Sequence, residues 1–302
     1  MSIKIFCNLQ QKLYKAVIMI ELFDTSMKIK KLGTAVSFAA SILYAFILFT
    51  GKGWSPALFP ALGIFVFGMF FFRLAALLVA EAQNKNHLSI LYNDMDCRSF
   101  IASYEPILKR KELTGLQRLI VLNHLANAHA YAGDFDTATE ILEKYEIPRT
   151  GRSVFNAMAL VAGNLCSCFL LEGDTIKAEK KLNELEIIIK EAANTRSPLS
   201  GSFKRNSIIQ KINLAILQGK KAEPDLLRRE LEESSNRLNR LRIRLLLAQA
   251  LRLDGQEDAV EEQLQKILGS GGDTVIQKQA HSMRGIEIRK NVSGTSAPQS
   301  KI

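Results

Sequence analysis

Four histidines, four cysteines and scattered carboxylates are the residues through which this 302-residue chain could hold a metal, attack a carbonyl or move a proton. Their spacing supports none of these. His87, His124, His129 and His281 are dispersed, and His124 and His129, five apart, stand about 140° from each other around a helix, so they share no ligand face. Cys166 and Cys168 are two apart, which is neither a zinc-knuckle nor a thioredoxin spacing. With Cys7 and Cys97 they read as small apolar residues in a reducing compartment. Glu184 and Glu186 are two apart and face different ways, while Asp134 and Asp174 each follow a glycine and read as helix caps. No H-E-x-x-H, G-x-S-x-G or G-x-x-x-x-G-K-[ST] occurs. The sequence therefore predicts no catalysis, no resident metal and no cofactor.

One charged pattern remains. Arg237, Arg240 and Arg244 fall on one helical face, with Arg242 and Arg252 nearby, beside an apolar stripe of Leu238, Leu241, Leu245 and Ala248. This is either a solvated outer face or a surface that meets acidic partner side chains or anionic lipid headgroups. The net charge of +10 invites a nucleic-acid reading, but Lys4, Lys12, Lys15, Lys28, Lys30 and Lys31 all precede the first apolar segment, where orientation signals sit. No nucleic-acid reader motif is visible, so nucleic acid is not the expected partner.

The elements that carry these residues divide sharply. Leu32 to Thr50 is uncharged, and as a helix spans about 28 Å, close to a hydrocarbon core of about 30 Å. Gly51-Lys52-Gly53-Trp54-Ser55-Pro56 reads as a turn, with Trp54 at the membrane interface. A second apolar segment starts near Ala57, and Arg73 falls about 28 Å beyond Trp54, at the opposite interface, where its long stem can snorkel. Leu74 to Ala80 carries this helix out through the headgroup layer. Lysines before the first helix, Lys85, Arg98, Lys109, Arg110 and Lys111 after the second, and only Lys52 between them predict both termini in the cytoplasm of a multi-pass cell-membrane protein. A cleavable signal peptide fits less well, because the apolar core is long, a second span follows at once and no A-x-A site is evident. Met27-Lys28-Ile29-Lys30-Lys31 makes a natural start for a membrane protein, which leaves residues 1–26 as either an amphipathic extension or sequence ahead of the true start.

After Gln83 apolar residues recur at three and four, as in Leu116, Leu119, Ile120, Leu122 and Leu125, and no stretch alternates with period two. The fold class expected is all-α. Leu122-x-x-Leu125-Ala126-x-x-His129, Gly133-Asp134-Phe135-x-x-Ala138 and Leu142 find a counterpart in Ala162-x-x-Leu165-Cys166-x-x-Phe169, Gly173-Asp174-x-x-x-Ala178 and Leu182. A third copy runs from Arg244 through Ala248 and Gly255 to Ala259, one residue short between Gly and Ala. A weaker one surrounds Gly219, with Ile212, Ala215 and Leu226, where Pro224 takes the alanine position. Asp96 to Leu108 reads as the second helix of an incomplete first copy.

These copies resemble the tetratricopeptide repeat (TPR) family over about residues 90–268. The resemblance implies an α-solenoid of helical hairpins that close up at the small residues and turn at the glycines. The glycines are 40, 46 and 36 residues apart, against about 34 in regular repeats. His129 stands where tyrosine is usual, and Leu122, Ala162 and Arg244 stand where tryptophan is usual. Asp273 is placed to cap a last helix reaching about Lys290, which covers the open end of the stack. Asn291 to Ile302 reads as a disordered tail.

The organisation expected is a basic segment (1–31), a transmembrane helical hairpin (32–83), a TPR-like domain (86–290) and a tail (291–302). The function expected is a membrane-anchored adaptor or scaffold that binds a protein or peptide segment on its concave face. In the resembling family that face is lined by first helices, which makes Asn123, Asn127, Asn164 and Arg244 the candidate contacts here, with the Arg237–Arg240–Arg244 surface beside them. The alternative is an assembly subunit of a membrane complex that meets its partners through the transmembrane helices. Gly63 and Gly68 are five apart, not the four of a helix-dimer motif, and lend that alternative little support. A small transporter or channel is a third class, disfavoured because two spans without a polar stripe line no pathway.

Overall fold

The computed structural model describes residues 24–52, 55–109, 113, 115–145, 147, 154–194 and 200–294, with the side chains at 24–27, 45, 47–60, 116, 193, 194, 200 and 286–294 excepted. Every regular element among them is a helix. The chain divides into two units, Met1–His87 with Arg110–Leu113, and Leu88–Lys109 with Thr114–Ile302.

The first unit is built on α1 (Asp24–Lys52) and α2 (Ser55–Tyr92), 29 and 38 residues long. At ~1.5 Å per residue α2 extends about 57 Å. The two run antiparallel, and small residues set their approach. A Cβ on Gly33 would strike Phe72, and one on Gly68 would strike Ser37. Phe38 and Phe65 meet edge to face at 6.0 Å between ring centroids. Gly63 has open space where its Cβ would be, so of the two glycines only Gly68 serves the hairpin. The Ser37 and Ser41 hydroxyls donate to the carbonyls of Gly33 and Ser37, at 2.7 and 2.6 Å, so these buried polar groups are satisfied within their own helix.

The outside of this hairpin is inverted relative to a water-soluble pair. Fifteen of the eighteen large apolar side chains exposed among the described residues lie on α1 and α2, including Leu32, Phe38, Phe46, Phe67, Phe70 and Phe71. Among the described residues two helices are long and apolar enough to cross a membrane, Ala61–Tyr92 and Val154–Glu172. They differ in what covers them: 6% of the first one's apolar window is buried, against 61% for the second. Val154–Glu172 is apolar because it is a core helix of the other unit. The segment Leu32–Thr50 is helical throughout, within α1. Arg73 is exposed, and Trp54 lies outside the described residues.

The second unit takes the end of α2 and then α3 (Cys97–Leu108), α4 (Gly115–Ala132), α5 (Phe135–Glu143), α6 (Val154–Glu172), α7 (Thr175–Asn194), α8 (Ser200–Leu217), α9 (Pro224–Glu233), α10 (Arg237–Leu253), α11 (Glu257–Leu268) and α12 (Val275–Gly294). From α3 to α8, and again from α9 to α12, neighbours in sequence pack on one another, and α4, α6, α8 and α10 also touch in series. Asp96 caps α3, accepting from Ser99 N–H at 2.9 Å, and the face Cys97, Phe100, Tyr104, Ile107 is buried.

Four turns share one geometry. Gly133, Gly173, Gly219 and Gly255 have positive φ of 72–92°, and the residue after each donates its N–H to a carbonyl five residues back. This is the Schellman closure, which needs a left-handed residue and so takes glycine. After Gly133 and Gly173 the next helix starts at once, capped by Asp134 and Asp174, which accept from Thr137 and Lys177 N–H at 3.3 and 3.0 Å. After Gly219 four residues intervene before α9 begins on Pro224, a residue suited to a first turn. Ala138 and Ala178 have no exposed surface, and Cys166 Sγ donates to the Ala178 carbonyl at 3.5 Å across the α6–α7 contact. Ala159, Ala162, Leu185 and Ile188 continue that core.

The last helix is placed differently from the sequence expectation. Thr274, not Asp273, caps α12: its backbone N–H donates to Gln277 Oε1 at 2.9 Å and its hydroxyl donates to the same oxygen. Asp273 instead pairs with Lys278 at 3.4 Å. Thr274, Ile276 and Ala280 are fully buried, and α12 packs on α11, on α10 and on α4, the opposite end of the series. Gln279 donates to the Leu171 carbonyl of α6 at 2.8 Å. The start and finish of the unit also meet where Arg237 donates to the carbonyls of Asn93 and Ser270, and where Gly272 lies against Met95. The unit therefore curls until its last helix lies against its first hairpins, where a solenoid end cap would touch the final hairpin alone. Helix α12 runs to Gly294, into the segment expected as a tail, and residues 295–302 lie outside the described residues.

Candidate partner-binding face

The asparagines singled out on the first helices are engaged inside the unit. Asn123 is buried on α4, and its side-chain oxygen accepts from the Asn164 amide of α6. The pair is a polar tie between neighbouring helices and not a free contact surface. Asn127 is half-buried and hydrogen-bonds the Tyr92 hydroxyl, which also sits 3.2 Å from His124 Nδ1. The rings of Tyr92 and Tyr104 both meet His124 edge to face at 6.0 Å, and Phe100 stacks on Tyr104 at 4.4 Å. Burial pushes Tyr92 up to about 12 and His124 down to about 4, so both are neutral near pH 7. This cluster joins the end of α2 to α3 and α4.

The arginines are engaged too. Arg237 closes the unit through the Asn93 and Ser270 carbonyls, and Arg240 Nε donates to the Ser234 carbonyl at 2.9 Å. Arg244 donates to Gln263 Oε1 at 2.9 Å, tying α10 to α11. All three hold loops or helices together, although Arg237 and Arg240 keep exposed surface. Among the described residues no three or more His, Cys, Asp or Glu side chains are grouped to hold a metal ion. Burial raises Cys97 to about 11 and Cys166 and Cys168 to about 12, so these thiols stay protonated and offer no thiolate.

The structure draws attention instead to a cleft between the end of α6, α8, α10 and α12. It is a small cleft of about 50 Å³, partly open to solvent. Leu170, Leu171, Leu217, Leu245 and Leu246 form its apolar wall, and Asn213, Arg242, Gln249 and Gln279 its polar rim, with no carboxylate among the lining residues. Arg242 Nε and Gln249 Oε1 are buried without a hydrogen-bond partner, two of four such side-chain atoms among the described residues. Leaving such an atom unpaired costs about 1–3 kcal/mol. Arg242 is anchored at its other end by the Tyr131 hydroxyl. The two residues are seven apart on α10 and share a face with Leu245 and Leu246 between them. Sequence reasoning sees Arg242 only as a neighbour of the arginine stripe and passes over Gln249. The available signal is a polar pair bracketing leucines at i, i+3, i+4 and i+7. Compared with protein-family models, curated proteins and solved structures, the chain matches none.

Proposed function

We propose that this protein is a membrane-anchored adaptor: a transmembrane hairpin that holds a TPR-like helical domain at the cytoplasmic face of the cell membrane, where it receives an extended segment of a partner protein. Support for the anchor comes from the exposed apolar side chains of α1 and α2, which water would not tolerate in such number. The order of basic residues favours both termini inside. The four glycine turns and the buried Ala138 and Ala178 favour TPR-like hairpins.

The observation that carries the binding role is the pairing of orphan groups in the leucine-walled cleft. Arg242 Nε–H lacks an acceptor and Gln249 Oε1 lacks a donor. Seven helical residues rise about 10.5 Å, a length that three residues of extended chain cover. A peptide backbone offers a carbonyl at one end of that span and an N–H at the other, and an aliphatic side chain between them meets the leucines. Bound this way, it relieves both unpaired groups, which makes the cleft a better docking place than the asparagines already bonded to one another.

The test places a photo-crosslinking residue at Asn213, on the cleft, and at Ile176, which is 82% exposed on α7, in the intact chain in its native membrane. Crosslinking to one protein from position 213 but not 176 is expected. Gln249→Leu should remove that crosslink while leaving stability unchanged or improved, because it deletes an unpaired buried acceptor. A crosslink that survives Gln249→Leu, or that forms equally from both positions, rejects the cleft as the binding site.

A further inference from the structure

One end of the hairpin carries a belt of cations just inside Asp24 and Glu81. From Thr25 to Ala80 the sequence contains no Asp or Glu; Asp24 and Glu81 mark the ends of that stretch. Within it lie Lys28, Lys30, Lys31, Lys52 and Arg73. The antiparallel register, fixed by Gly33 against Phe72 and Gly68 against Ser37, sets Arg73 level with Leu32 and within a turn of Lys31. Four of the five cations therefore gather at one height of the hairpin. Lys28, Lys31 and Arg73 are exposed there.

On one side of this belt begin the exposed apolar flanks, with Leu32, Val36, Phe70 and Phe71. On the other, Leu74 and Leu78 remain exposed alongside Lys28 to Lys31, so cations and apolar side chains alternate around the same layer. A layer of that mixed character matches the headgroup region of a bilayer. Arg73 presents a fork that fits two phosphate oxygens, and the lysines act as point charges around it.

We propose that Lys28, Lys31 and Arg73 form a binding belt for anionic phospholipid headgroups, so that the hairpin gathers such lipids around its cytoplasmic end. The inference rests on the proposed membrane anchoring of the hairpin. Each basic residue near a charged bilayer surface favours anionic lipid by about fivefold.

The full chain is reconstituted into vesicles of phosphatidylcholine with a minor share of phosphatidylglycerol. It is extracted in mild detergent, and the co-purifying lipid is quantified by mass spectrometry. Phosphatidylglycerol is expected to be enriched over its share of the bilayer. The triple variant Lys28→Gln, Lys31→Gln, Arg73→Gln should bring retention back to the bulk ratio. Lys52→Gln, at the other end of the hairpin, should leave it unchanged, and restoring a lysine by Arg73→Lys alone should keep most of the enrichment. Flotation with vesicles of phosphatidylcholine alone, after an alkaline wash, is run on every variant. A wild-type chain that fails to float overturns the membrane reading and the belt with it. A chain that floats but retains phosphatidylglycerol at the bulk ratio, or a triple variant that floats and stays enriched, overturns the belt alone.

Discussion

Replacing Ala178 by Leu tests whether the repeat-like alanines mark true helix contacts. Ala178 has no exposed surface, and its carbonyl receives the Cys166 thiol at 3.5 Å, so α6 and α7 approach closely at this point. Leucine adds three carbon atoms where no room exists, and overpacking of this kind costs about 1–3 kcal/mol. The native thiols report the effect in the full chain. Cys166 and Cys168 are 0% and 1% exposed and burial lifts both to about 12, so each reacts with a maleimide only when the unit opens. When closing outpaces labelling, the rate follows the open population. A loss of about 1–3 kcal/mol should raise it roughly 5- to 150-fold. Cys97, 4% exposed on α3, should accelerate in parallel if the unit opens cooperatively. Glu179→Leu, on the exposed side of the same helix, should change the rate little. Equal labelling of wild type and Ala178→Leu would refute the packing argument at its best-defined position.

Two more effects stem from the same unit. His124 is held at about 4 against an ordinary 6.5, so between those values the unfolded chain takes up a proton that the folded one refuses. Stability should thus be full above about pH 6.5 and fall on acidification toward pH 4, by up to about 3 kcal/mol, and urea midpoints of His124→Gln should lack that component. Gly173→Ala should cost about 1 kcal/mol, because φ of +92° is poorly tolerated once a Cβ is present even though nothing lies within 4 Å of it; a midpoint equal to wild type would contradict the turn assignment.

The features legible in the sequence are the local ones. A glycine that must take positive φ, an aspartate that caps the helix after it and an alanine seven or five positions away all announce themselves within one hairpin, as Gly133, Asp134, Ala126 and Ala138 do. The apolar hairpin is equally plain, since composition alone separates residues 32–80 from the rest of the chain. The closure of the second unit is not. Arg237 reaches the Asn93 carbonyl 144 residues earlier, and nothing in either neighbourhood carries a periodic signal of that contact. Arg237, Arg240 and Arg244 look like a surface stripe because helical spacing shows which side chains share a face, not which open carbonyls or amides lie opposite. The Asn123–Asn164 tie is hidden for a related reason. Asn164 matches His124 in the repeat alignment, so the register that pairs it with Asn123 emerges only when α4 and α6 are laid side by side. Arg242 and Gln249 are on one face in any helix, but that both lack a partner is a property of the packed cleft.

Anchoring, adaptor role and lipid belt all require that the hairpin cross the membrane and return. Single cysteines at Gly53 and at Ser300, in a chain with Cys7→Ser, can be probed from outside intact cells with a membrane-impermeant maleimide. The native Cys97, Cys166 and Cys168 stay silent because they are buried. Labelling at position 53 in intact cells, and at position 300 only after the membrane is breached, is the predicted result. Labelling at 300 but not at 53 from outside would contradict the hairpin and the cytoplasmic placement of the helical unit together.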